Sequence, residues 1–403
     1  MTMTKSIKTI VEKGFTPMQE NRLDELDILR ALGFIFVVAQ HILGGYAWRQ
    51  GMGIYDSVVL NLLYVVAKPA VPIFVTLVAI TLFYSTGDKK LDVFKFYSKK
   101  VKFIVTPYII WSLVIILLTK KFDNILGVLI TGNADYHLWY MGMFLRILLY
   151  FPITLLIVNM VREQNKTVRT VLLIIFCICY WLLMKNNITI TDSIISHIFK
   201  NPSKLESRFV TITPILWSIY FVLGLKIFFN YAKFVKHIII YKSQIFSVYI
   251  LLLAYVYYAE FRVHIILKEP IFVQNAIIYF DQILNISYMC ISIVVFYILS
   301  LYISKKKEKV YAILKYIAHY SYSGYLMHTI ILARVANEIT WYIPASLVSG
   351  LIIFSITVYL SIKLPYLLSY LPYSEYLLGT KRIKNKVNNN SYFDKFVHRL
   401  SGS

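Results

Sequence analysis

The chain is predicted to be all-α: a polytopic membrane helix bundle of about ten transmembrane helices with both termini in the cytoplasm. Three observations predict this. Of 403 residues, 58% are hydrophobic and only 15% charged, where soluble domains are nearer about a quarter charged. The mean hydropathy is +0.64, and the charges are squeezed into short clusters between long apolar runs. Those clusters also alternate: every second loop is rich in Lys, as cytoplasmic loops are.

The elements follow in order. Residues 1–25 carry mixed charge and a weakly amphipathic piece (Ile7, Ile10, Val11, Phe15) ending near Pro17. They read as a cytoplasmic segment lying at the membrane surface, without a cleavable signal peptide. Asp24, Glu25 and Asp27 suit a helix N-terminus. Spans are expected at 28–47, 69–86, 103–119, 138–160, 168–184, 209–229, 244–261, 283–303, 316–336 and 345–365. A further apolar piece, Val58–Val66, reads as a short external or re-entrant helix before Pro69 and Pro72. Residues 26–365 then form one membrane domain. Residues 366–403 form a basic cytoplasmic tail, too short for an added domain.

Orientation comes from the loops. Residues 85–102 hold six Lys, and Lys305, Lys306, Lys307, Lys309 and Lys315 crowd another even loop. The net charge of +22 is assigned to the same cause, and no basic stretch has the signature of a nucleic-acid module. Cys177, Cys179 and Cys290 lie inside apolar runs and read as small buried hydrophobes. No disulfide framework or zinc-ligand spacing is present, and no metal is expected.

The first span carries two groups that hydrocarbon rejects, Arg30 and His41. Eleven steps at ~100° come only ~20° past three whole turns, so both lie on one stripe, separated by ~16 Å along the axis. Ionisable residues inside a span are functional-site candidates. In the predicted orientation Arg30 is at the cytoplasmic end and His41 is deeper.

Arg, ten residues, then His, framed as LDILR…QH, resembles the signature of the acyltransferase-3 family, multi-span membrane O-acyltransferases of cell-envelope glycans. Four later segments are similar to the family as well. They are KPAVPIFVTLVAITLFY (68–84), FYSKKVKFIVTPYIIWS (96–112), HLWYMGMFLRILLYFP (137–152) and HYSYSGYLMHTIIL (319–332). The chain departs from the pattern where Leu77-Val78-Ala79 replaces a common Ser-Gly, and its basic connector is all Lys, a weaker bidentate partner for phosphate than Arg. The resemblance covers about residues 26–365.

It implies transfer of an acyl group, in the first place acetyl, from cytoplasmic acyl-CoA to a hydroxyl of an envelope or secreted polysaccharide. The attacking hydroxyl needs a base, the carbonyl oxygen needs stabilising as it gains charge, and the donor phosphates need cations. His41 is the candidate base, or is itself acylated and carries the group outward. Arg30 either holds CoA or sits nearer the thioester. Lys99, Lys100 and Lys102 are the candidate donor-binding cations. His137, Trp139, Tyr140, Arg146, Glu260, Ser321, Tyr325 and His328 are candidates for the acceptor site or its cavity. For Trp139 and Tyr140 an aromatic belt at the interface is the competing reading. Glu260 is read as orienting a histidine, binding a sugar or simply pairing with Arg262. No bound cofactor is expected, only acyl-CoA (acetyl-CoA first) as co-substrate. The expected partners are the bilayer, acyl-CoA and the glycan acceptor, with a second copy of the chain or a partner biosynthesis protein to complete the reaction. The expected location is a bacterial cell membrane.

Two other functions compete. A polysaccharide exporter or flippase would need a wide polar path, which Arg146 and Arg334 could line. A lipid-linked-sugar glycosyltransferase would place acids in an early external loop, where only Asp56 is found. The H-x4-D acyltransferase motif is absent, since Tyr46, Gly142 and Ala333 stand where its Asp would follow His41, His137 and His328.

Overall fold

The computed structural model describes residues 23–47, 49, 51–86, 91–266 and 283–380. Within them the chain is all-α with no strands. The helices are α1 (Asp24–Ala39), α2 (Ile54–Ala67), α3 (Ala70–Thr86), α4 (Val93–Lys100), α5 (Thr106–Thr119), α6 (Ile125–Thr131), α7 (Trp139–Glu163), α8 (Lys166–Lys185) and α9 (Asn187–Ile198). They continue with α10 (Lys204–Thr211), α11 (Ser218–Phe229), α12 (Tyr231–Ile240), α13 (Lys242–Phe261), α14 (Ile283–Lys306), α15 (Glu308–Tyr342), α16 (Leu347–Leu368) and α17 (Ser374–Leu378).

Among the described residues, eight helices are long and apolar enough to cross a membrane, or nine if the bent pair Lys204–Thr211 and Pro214–Phe229 counts as one span. The chain is therefore a multi-pass membrane protein, with fewer qualifying spans than the ten expected. Two expected spans account for the difference. The one at 209–229 is broken by a 40° bend, where Pro214 opens a 3-10 turn, Pro214–Trp217. The one at 316–336 lies inside the 35-residue α15, which is too rich in polar residues to qualify. The piece at 58–66 is part of α2, which runs on into α3 as a single apolar stretch of 33 residues. That is ~50 Å of helix against a hydrocarbon core of ~30 Å.

α1 is the central strut. It packs against α3, α14 and α15, and 61% of its apolar stretch is buried, against 11% for α8 at the rim. Its acidic first turn is tied down by side chains from other helices. Tyr311 and Lys315 hold Asp24, and Tyr231 and Tyr297 donate to Glu25. The rim helices turn Ile174, Ile175, Ile178 and Leu251 outward, as helices in contact with lipid do. Cys177 and Cys179 are exposed on the rim helix α8, not buried as expected, and Cys290 is half-buried.

The start of the expected tail belongs to the bundle. Trp111 Nε1 donates to the Leu377 carbonyl at 3.0 Å, and Ser323 Oγ to that of Leu378 at 2.6 Å. Residues 1–22 and 381–403, which hold most of the two expected terminal segments, lie outside the described residues.

Candidate active site

Two prolines set the position of His41. Pro69 and Pro72 have no N–H, so at the α2–α3 junction the carbonyls of Val65 and Lys68 lose their i+4 donors, and Val65 O keeps only a tighter bond from the Lys68 N–H at 3.1 Å. Tyr288 Oη supplies one replacement, donating to Val65 O at 2.9 Å. Gln40 supplies the other, with Nε2 donating to Ala67 O at 2.7 Å and Lys68 O at 3.3 Å. Gln40 opens a π-helical turn, Gln40–Gly44, that widens the end of α1. Such turns recur at functional sites. His41 is the next residue, half-buried and facing a cluster of rings.

His137 comes from the loop after α6. Gly132 makes the return possible: its φ is +63°, and a Cβ there would lie 2.1 Å from the Leu138 carbonyl oxygen. Arg208 on α10 braces the same loop, donating to the carbonyls of Thr131 (3.4 Å), Gly132 (3.3 Å) and Tyr136 (3.3 Å). Asp135 Oδ1 accepts the Tyr136 N–H at 2.7 Å, and Oδ2 lies 3.3 Å from His137 Nδ1, an ion-pair approach rather than an aligned hydrogen bond. Burial works to raise the Asp135 pKa, but the adjacent imidazole, the Thr329 hydroxyl and the Tyr136 N–H outweigh it and hold the carboxyl at about 2. Asp135 is therefore a fixed negative charge beside a histidine that is only 2% exposed.

His328 comes from α15. One turn earlier, Gly324 lets α15 approach α16 and α1, because a Cβ there would meet Ser361 O at 2.7 Å and Phe34 at 3.0 Å. The His328 ring is fully buried, with Nδ1 at 2.7 Å from the Tyr325 carbonyl. That carbonyl can only accept, so Nδ1 carries the proton and Nε2 holds the lone pair. Nε2 is buried without a hydrogen-bond partner. Tyr325 ties the two walls together by donating its hydroxyl to His137 O at 2.6 Å.

The three imidazoles meet. Ring centroids are 5.3 Å apart for His41 and His328, 4.7 Å for His137 and His328, and 6.3 Å for His41 and His137. Tyr136 lies edge-on to His41 at 5.0 Å, and Tyr325 to His137 at 5.3 Å. Three residues separated by almost 300 positions thus form one ring cluster. His41 is the partly open member, and the other two are sealed behind it. Among the described residues, no group of three His, Cys, Asp or Glu is arranged to hold a metal ion.

The remaining candidates divide. Tyr140 is buried against Tyr325 (6.1 Å) and Phe144 (5.9 Å), so it belongs to the wall of the cluster rather than to an interfacial belt. Trp139 meets Trp217 at 5.3 Å. Ser321 is buried and returns its hydroxyl to Ala318 O at 2.9 Å within its own helix. Arg146 donates to Phe209 O at 2.6 Å and sits over the Phe209 ring at 4.0 Å. Arg30 is held by Asp27 Oδ1 at 3.0 Å, about three turns along α1 from His41. Lys99 is exposed, Lys100 lies over Phe96, and Lys102 faces Glu375 at 3.6 Å and the Tyr376 ring at 4.7 Å.

Glu260 does not make the expected pair with Arg262, but it does face a histidine. Its partners are Lys68, buried across the bundle, and His264, at 3.0 Å from its other oxygen. Arg262, the expected partner, is exposed. Asp135, Arg208, Gln40, Lys68 and His264 were not legible as a set. Two had a local signal: Asp135 stands two residues before His137, and His264 four after Glu260.

A family model described as an acyltransferase domain matches residues 23–370, nearly the whole chain. No curated protein and no solved structure gives a significant match.

Proposed function

The chain belongs to the acyltransferase family and is a membrane acyltransferase; from that premise we propose that it moves an acyl group, in the first place acetyl, from acyl-CoA to a hydroxyl of an envelope or secreted polysaccharide. The reading rests on one observation. His41 presents a half-open imidazole beside two sealed histidines, one of them paired with an ionised Asp135.

In this reading His41 takes the proton of the attacking hydroxyl. The hydroxyl oxygen bonds to the thioester carbonyl carbon, the C–S bond breaks, and the proton goes to the departing CoA thiolate. The buried histidines hold His41 in place, the His328 Nε2 lone pair can accept a hydrogen bond from a hydroxyl or an imidazolium in the cluster, and Asp135 favours the imidazolium that forms briefly there. In the variant route His41 attacks first and holds the acyl group until the glycan hydroxyl takes it. Lys99, Lys100 and Lys102 attract the donor phosphates as point charges from the basic side, which is assigned to the cytoplasm. Both described ends of the chain lie on that side in this assignment.

The exporter reading loses its support. Arg146 is tied to Phe209, whereas Arg334 is 80% exposed beside Glu338, so the two share no observed path.

The test uses purified protein in liposomes with labelled acetyl-CoA on the basic side, measuring CoA release and label on added glycan for wild type and His41→Ala. Release and labelling that depend on His41 are expected. Label kept on protein when glycan is withheld selects the acyl-histidine route. Glycan movement across the bilayer with no CoA release from any acyl donor would overturn the proposal.

A further inference from the structure

A cavity lies away from the histidines. It is a groove of about 770 Å³ between α7, α8 and α11. Its walls are apolar along most of their length, with Ile157, Leu172, Phe176, Phe221 and Leu225 among them. One end is different: Arg162, Arg169 and Lys226 stand together there, and no acidic side chain lines the groove. Arg162 is held at the rim over the Phe229 ring, at 4.3 Å. Toward the other end Ser218 lines the groove, and its hydroxyl is buried without a hydrogen-bond partner.

Length and charge together select the occupant. The residues of α7 that line the groove run from Ile147 to Arg162, ~22 Å of helix, compared with ~15 Å for one leaflet of hydrocarbon. An occupant with its head at the cations therefore extends through a whole leaflet. Three clustered cations at headgroup depth, with no counter-carboxylate, call for an anion. An apolar trough below them calls for acyl chain, and a buried unsatisfied hydroxyl calls for an acceptor such as an ester carbonyl. A soluble phosphate compound would satisfy the cations but leave the trough bare. A zwitterionic lipid would fill the trough but place its own cation among three others.

We infer that this groove is a binding site for an anionic glycerophospholipid of the leaflet on the basic side, with its phosphate at Arg162, Arg169 and Lys226. The site is separate from the acyl-transfer cluster and does not depend on that chemistry. It does reach the cluster's surroundings, since Trp217 lines the groove and meets Trp139, the neighbour of Tyr140.

The experiment is lipid retention by the full chain in mild detergent. Protein is incubated with phosphatidylglycerol or phosphatidylcholine of identical chains and desalted, and the bound lipid is counted by mass spectrometry. Phosphatidylglycerol should be retained about fivefold or more over phosphatidylcholine, a preference that fades as salt rises. Arg162→Gln/Arg169→Gln/Lys226→Gln should erase the preference. Val222→Trp, which fills the trough, should lower retention of both lipids. Lys233→Gln/Lys236→Gln/Lys242→Gln removes the same charge elsewhere and should leave the preference intact. Equal retention of the two lipids would overturn the site, as would an equal loss in the control triple variant. Displacement of the lipid by free CoA would overturn it too, because it would assign the mouth to a soluble phosphate ligand.

Discussion

Two of the buried polar groups among the described residues invite comparison, and they differ in how their charges are paired and in how open they are. Lys68, Glu260 and His264 form a set closed by charge: Lys68 takes one oxygen of Glu260, and His264 lies 3.0 Å from the other, an ion-pair approach rather than an aligned hydrogen bond. The Lys68 ammonium also faces the Tyr64 ring at 4.8 Å. His41, His137 and His328 form an open set. The Nε2 atoms of His137 and His328 are buried without hydrogen-bond partners, and His41 stands at the partly exposed edge. Burying an unsatisfied polar atom costs about 1–3 kcal/mol, and what sets these two apart is that they lie beside the partly exposed His41. A closed set spends its polarity on holding helices together. The lesson is that an ionisable residue in a span signals function only when its neighbours leave it with work to do.

The largest test of the contrast is His41→Ala. Transfer should fall by about 10²–10⁴, the usual share of a positioned base, while thermal unfolding in detergent stays unchanged. The reverse pattern is expected for Lys68→Met. It strands the Glu260 carboxylate, which costs about 3–5 kcal/mol, and Lys68→Met/Glu260→Leu should recover most of that. Denaturant unfolding reads both variants. If Lys68→Met kept full stability but lost transfer, the closed set would be part of the machinery and the contrast would break.

Asp135→Asn sharpens the open side and is expected to slow transfer by roughly 10² by removing the charge that favours an imidazolium. Its acid dependence follows from the depressed pKa. The contribution of Asp135 to stability is fully present above its ordinary value of ~3.9 and is lost as pH falls toward about 2. Acid unfolding of Asp135→Asn should therefore lack a component that wild type shows in that window. Any change in rate between pH 5 and 8 belongs to other groups.

Smaller effects come from the supports. Gln40→Leu leaves the kink carbonyls of Ala67 and Lys68 unanswered and shifts the turn that carries His41. A loss of about 1–3 kcal/mol in stability and a fall in kcat of about tenfold are expected, with KM little changed. Lys102→Gln, on a cation already shared with Glu375, should raise KM for the donor only about two- to threefold. Steady-state kinetics on reconstituted protein separate the two.

The histidines were readable one by one and not as a cluster. His41 stood out because hydrocarbon surrounds it in sequence, and His137 and His328 because they sit in segments resembling the family. Nothing local says that residues 41, 137 and 328 share one space. The Glu260 partner was misplaced for the same reason. Arg262 is two residues away in sequence, but successive residues on a helix point in different directions, and Lys68, 192 positions away, is the one that arrives. Arg208 had no readable signal, because its role is to bind three carbonyls of a loop whose path exists only in the fold.

What the sequence determined by itself is what periodicity, composition and local sterics control. It determined the all-α membrane class, the run of apolar helices, the basic loops, the helix junction at Pro69 and Pro72, and the position of His41 deep in the first span. Hydrocarbon demands internal backbone bonding and penalises charge, and these demands are written residue by residue. Tertiary structure alone decided which polar groups meet. It turned Arg146 toward Phe209, closed Lys68 on Glu260, bent the expected span at 209–229 and assembled three imidazoles from three distant segments. Such meetings depend on how helices cross and on single close approaches, as at Gly132 and Gly324, and a one-dimensional pattern carries no record of them.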